Sequence, residues 1–81
     1  MPGWIVSPRS GVAYLDLRDA AISPDDVAVL AGGLSTYYQR RQIKRVVIAV
    51  RDSRSASVEA LVRNVKAQAR VREVGFELQV G

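Results

Sequence analysis

Five consecutive apolar residues, Val46-Val47-Ile48-Ala49-Val50, narrow the folds open to this chain more than any other feature. Four of the five are β-branched. Such a run reads as a strand buried on both faces, the habit of a central parallel strand. One stretch with helical spacing lies on each side of it. Upstream, Val27, Leu30, Ala31, Leu34 and Tyr38 recur at the helical period. Ser23-Pro24-Asp25-Asp26 opens that stretch. Ser23 suits the cap, Pro24 the first helical position, and the two Asp the positive end of the helix dipole. The predicted helix covers 24–41. Gly32-Gly33 falls inside it, at about 1 kcal/mol per Gly relative to Ala. Close packing of that turn on a sheet is the expected reason. Downstream, Val58, Leu61, Val62, Val65 and Ala69 mark a second helix over 56–71.

Three further segments have strand character. Trp4-Ile5-Val6 ends at a Pro8 to Gly11 turn, and Val12-Ala13-Tyr14-Leu15-Asp16-Leu17 follows, so the two can pair as a hairpin. Residues 73–80 alternate, with Val74, Phe76, Leu78 and Val80 on one side. The expected order is (β)βαβαβ. The fold class is therefore α/β, a small domain with a mostly parallel three- to four-stranded sheet and two helices. One strand between the helices argues against a ferredoxin-like fold and for a parallel sheet with right-handed crossovers.

The sheet faces differ. One carries Ala13, Leu15, Leu17, Val46, Ile48, Val50, Val74, Phe76, Leu78 and Val80 and is uniformly apolar. The other carries Tyr14, Asp16, Val47, Ala49, Glu77 and Gln79. Both helices are expected on the first face. Val47 and Ala49 would then need cover from Trp4, a partner chain or a second copy.

Length and composition set the class. The 81 residues suit a single domain, 1–81, with one modest core. The chain has no Cys and no His. That excludes disulfides, thiolate nucleophiles, imidazole general bases and Cys/His metal sites. No cofactor is called for. The longest apolar run is far below the roughly 20 residues of a membrane span, and the first residues lack the pattern of a signal peptide. A small chain without disulfides fits the cytoplasm. Ten Arg against two Lys fits a GC-rich bacterial genome.

Charge is segregated along the chain. Residues 1–39 hold Arg9 and Arg18 against Asp16, Asp19, Asp25 and Asp26. Residues 40–72 hold ten Arg or Lys against Asp52 and Glu59. Local potential of this kind selects partners. Three constellations can carry chemistry. Asp16, Asp19 and Asp52 lie at or past strand ends, where open α/β sheets bind ligands, and three carboxylates can hold Mg²⁺ for phosphoryl transfer. Asp52-Ser53-Arg54-Ser55 precedes the second helix, a place for anion binding, for phosphorylation or for a plain helix cap. Arg40, Arg41, Lys44, Arg45, Arg63, Lys66 and Arg70 form a basic belt that can follow a phosphate backbone, with Tyr37 and Tyr38 nearby to stack on bases. Cations near helix ends also have a purely structural use.

The segments also resemble a STAS domain, the sulfate-transporter and anti-sigma-factor-antagonist family. The resemblance rests on the order of elements, on Asp52-Ser53 opening the helix Ser57-Val58-Glu59-Ala60-Leu61-Val62, and on the strand Val74-Gly75-Phe76-Glu77-Leu78-Gln79-Val80. An Asp-Ser-Ser-Gly-type motif in that family carries a regulatory phosphoserine, and Ser53 matches its first Ser. Arg54 and Ser55 stand where the second Ser and the Gly would be. The resemblance implies a non-enzymatic interaction or regulatory module that binds a partner protein or its own copy. Two alternatives stay open: a basic nucleic-acid-associated protein, and a Mg²⁺-dependent phosphoryl-transfer enzyme.

Overall fold

The computed structural model describes residues 2–81. The elements are β1 (Ile5–Ser7), β2 (Val12–Asp16), α1 (Pro24–Arg40), β3 (Arg45–Val50), α2 (Ala56–Arg72) and β4 (Gly75–Val80). They form one four-stranded sheet in the order β1-β2-β3-β4. β1 and β2 are an antiparallel hairpin, while β2, β3 and β4 run parallel. This is the α/β architecture expected from the sequence, with boundaries moved by a residue or two.

Helix starts follow local chemistry. The Ser23 hydroxyl accepts from the Asp26 N–H at 3.3 Å, and the Ser23 N–H donates to the Asp26 carboxylate at 2.8 Å. This reciprocal pair satisfies two of the donors that a helix start leaves free. Ser55 caps α2 by accepting from the Val58 N–H at 3.2 Å. At the other end of α2, Glu73 takes a left-handed conformation with φ of 58°, and its N–H returns to the carbonyls of Ala69 and Arg70.

Register places the apolar residues in layers. Ala13, Val46 and Phe76 are neighbours across the sheet, as are Leu15, Ile48 and Leu78. These residues share one core with Leu30 and Leu34 of α1 and Leu61 and Val65 of α2. Both helices therefore cover one face, as two successive crossovers of the same hand require. Leu15, Leu34, Ile48 and Leu61 have no exposed surface.

The opposite face has no helix, yet Val47 is only 5% exposed and Ala49 not at all. The expectation that these two need external cover does not hold. Across the sheet Val47 lies between Tyr14 and Glu77, and Ala49 between Asp16 and Gln79, all side chains of the chain itself. Arg45 and Glu77 form an ion pair beside Val47, and the Gln79 amide donates to Glu77 at 2.8 Å. Trp4 is not on this face. It packs against the helix-side core, and its indole N–H donates to the Leu30 carbonyl at 2.8 Å.

The glycine pair in α1 is also placed differently from expectation. A Cβ on Gly32 would meet nothing within 4 Å, and one on Gly33 would meet only the Trp4 ring at 3.7 Å. Neither abuts the sheet. The glycine under real constraint is Gly11, with φ of 71° and a would-be Cβ 2.8 Å from the Gln42 carbonyl. Here the hairpin turn meets the link between α1 and β3. The Gly11 carbonyl accepts from the Lys44 N–H at 2.8 Å, and the Lys44 carbonyl accepts from the Gly75 N–H at 3.2 Å. These bonds tie three connections together at the amino edge of the parallel strands.

Two substitutions test this packing. Leu34→Ala leaves a cavity under α1 and is expected to cost about 3 kcal/mol in urea unfolding. Gly32→Ala fills open space in a helix and is expected to gain up to about 1 kcal/mol in the same measurement.

Candidate functional site

Parallel strands joined by helices give the molecule two distinct ends. Each helix runs back against the strands, so both helix N-termini sit at the carboxyl edge of the sheet and both C-termini at the amino edge. Charge follows this polarity.

At the carboxyl edge lie Asp16, Asp19, Asp25, Asp26 and Asp52, together with Arg18, Arg51 and Arg54. Each of these three Arg has a carboxylate partner. Arg18 grips both oxygens of Asp16, with Nε at 3.1 Å and Nη2 at 2.8 Å. Arg51 meets Asp19 at 2.7 Å and also donates to the Arg18 carbonyl at 3.1 Å. Arg54 meets Glu59 at 2.5 Å. The Arg18 side chain and then its backbone N–H hold the Asp16 carboxyl at a pKa of about 2.

This arrangement separates the three carboxylates considered for a metal. Asp16 and Asp19 are each engaged by a different guanidinium. Among the described residues, no three acidic side chains come close enough to hold a metal ion. Asp16, Asp19 and Asp52 thus share an edge but not a coordination site. Two of the three, Asp16 and Asp19, are taken up by Arg18 and Arg51 instead.

Beside them is a cleft of about 280 Å³. Leu17, Ile22, Val50 and Val58 form its apolar floor, while Arg51, Ser53 and Arg54 are among the residues at its polar side. The roles of the two serines separate here. Ser55 is the helix cap, and Ser53 is exposed in the preceding loop. Arg54, expected as an anion ligand, is turned onto Glu59.

The basic belt splits into parts. Arg40, Arg41 and Lys44 lie at the amino edge, and Arg70 reaches the same edge from the end of α2. Arg45 turns onto the helix-free face and pairs with Glu77. Arg63 and Lys66 lie farther back on α2, where with Ala67 and Arg70 they line a shallow depression. Sequence reasoning missed two members of the cluster, Arg9 in the hairpin turn and Arg72 in the last turn of α2. Arg9 is brought there by the bonds from Gly11 to Lys44, which no local pattern announces. Tyr37 and Tyr38, near the belt, belong to the margin of the core. Both are partly buried and packed against the core, and the Arg72 guanidinium lies 4.8 Å from the centre of the Tyr38 ring. Burial pushes the Tyr38 phenol pKa up, and Arg72 opposes that shift.

Comparison with protein-family models, curated proteins and solved structures finds no significant match to this chain. No helix among the described residues is long and apolar enough to cross a membrane.

The Asp16 environment has a direct test. Its pKa is depressed, so the pairing is intact above the ordinary carboxylate range and is lost as pH falls through about 2. Arg18→Ala is expected to move the Asp16 carboxyl titration, followed by NMR, up toward 3.8.

Proposed function

We propose that this chain is a non-enzymatic regulatory module that works by binding a partner protein or its own copy in a bacterial cytoplasm. This is the role its resemblance to STAS domains implies. The observation that carries the reading is the exposed loop at the start of α2. Ser55 supplies the cap, which leaves the Ser53 hydroxyl exposed, outside the helix and beside a cleft with an apolar floor. Arg54 follows it directly. A phosphate on Ser53 would bring two negative charges to a helix start and to guanidinium groups now held by Glu59 and Asp19. Competition for those guanidinium groups would rearrange the loop, and a surface that a partner reads would change with it.

The order of strands and helices supports the same reading, because it is the order on which the resemblance rests. The chain also lacks the thiol and imidazole groups used in most nucleophilic and general-base catalysis.

Light scattering on eluting protein, with affinity capture from an extract of the native host, tests the proposal. The expected result is either self-association or a defined protein complex, weakened or strengthened at least tenfold by Ser53→Glu with unchanged melting temperature. A strict monomer that captures no partner overturns it, as does a complex indifferent to Ser53→Glu.

A further inference from the structure

The cations at the two ends of the molecule are treated differently. At the carboxyl edge Arg18, Arg51 and Arg54 are each neutralised by a carboxylate. At the amino edge Arg9, Arg40, Arg41, Lys44 and Arg70 are all exposed, and none forms an ion pair among the described residues. Glu73 is the acidic residue in the connections at this edge, against Arg72 beside it in sequence.

Helix stabilisation explains part of this cluster. Cations in the last turn of a helix gain about 0.3–1 kcal/mol from the dipole, and the effect fades beyond that turn. Arg40, Arg70 and Arg72 qualify. Arg9 and Lys44 belong to no helix, and the backbone bonds through Gly11 and Lys44 hold their loops against the helix ends. Bringing like charges together without partners costs energy that the fold does not recover locally.

We infer that the amino edge is a binding surface for the phosphodiester backbone of nucleic acid. Four of these five cations are Arg, whose planar fork can donate two hydrogen bonds to one phosphate. Ser10, Gln39 and Gln42 are exposed among them and supply the neutral donors that reach phosphate and sugar oxygens. Contacts of this type are indifferent to base sequence. The edge does not fit a lipid surface, because Val71 is the large exposed apolar side chain in its last helical turn, and membrane-bound faces insert several. Arg63 and Lys66 lie roughly 6–10 Å back along α2 from Arg70 and extend the track away from the edge. This inference does not depend on the reading of Ser53, which lies at the opposite end.

The test is fluorescence anisotropy with labelled single-stranded and duplex oligonucleotides of mixed sequence. At about five phosphate contacts, affinity is expected to fall at least a hundredfold between roughly 50 and 200 mM salt. Arg41→Gln/Lys44→Gln is expected to weaken binding about tenfold or more. Arg18→Gln/Arg51→Gln removes the same net charge from the other end and is expected to change it less than about threefold. Both doubles alter exposed side chains, and circular dichroism checks that they fold. Absence of binding at the lower salt overturns the inference. Equal loss in the two doubles overturns it too, since only net charge would then matter. Displacement of the oligonucleotide by polyglutamate or anionic lipid vesicles at equal charge concentration also overturns it, by assigning the edge to a different partner.

Discussion

Burial of β3 on both faces is the constraint from which the rest of the molecule follows. A strand with Val46, Ile48 and Val50 on one side and Val47 and Ala49 on the other cannot lie at a sheet edge. It takes β2 on one flank and β4 on the other, both parallel to it. Parallel neighbours need crossovers, and the two stretches with helical periodicity provide them. Each crossover turns the same way, so α1 and α2 meet on one face and close a single core.

The same constraint creates the charge asymmetry. Crossover helices run against their strands, so their positive ends gather at the carboxyl edge and their negative ends at the amino edge. Asp25, Asp26 and Glu59 sit in the first turns, and Arg40, Arg70 and Arg72 in the last. Helix dipoles favour that arrangement locally. What they do not require is the contrast in pairing between Arg18, Arg51 and Arg54 at one end and Arg9, Arg41 and Lys44 at the other. The two candidate surfaces lie at opposite ends of this axis. The exposed Ser53 loop and its cleft occupy one end, and the unpaired cations the other.

The helix-free face shows how a small two-layer domain protects its central strand. Val47 and Ala49 are buried without a covering layer, flanked on the same face by Tyr14 and Asp16 of β2 and by Glu77 and Gln79 of β4. The Arg45–Glu77 pair joins β3 to β4 at that level, and Gln79 bonds to Glu77 along β4. The ion pair is exposed and adds little stability by itself. Its value lies in excluding water from the aliphatic surface beneath, a use that long polar side chains serve well.

Local chemistry made the elements legible in the sequence. Ser23-Pro24-Asp25-Asp26 determined where α1 begins, periodicity determined the buried faces of both helices, and strict alternation determined β4. Those features depend on neighbours a few residues apart and so survive reading one dimension at a time. The candidate sites were less legible, because they depend on partners far apart in the chain. Asp16, Asp19 and Asp52 have the right residue type and the right edge, but Arg18 and Arg51 decide what the carboxylates are free to do. Arg45 belongs to the basic run by position and to the helix-free face by the alternation of β3. Trp4 could cover either side until the register of β1 on β2 put it against Leu30. Arg9 joined the cationic edge only when the Gly11 turn closed on Lys44. By itself the sequence determined the elements, their order and the apolar face, because these are set by short-range spacing. Tertiary structure alone decided which charges are neutralised and which are left free, because pairing depends on register and on connections meeting across the sheet edge.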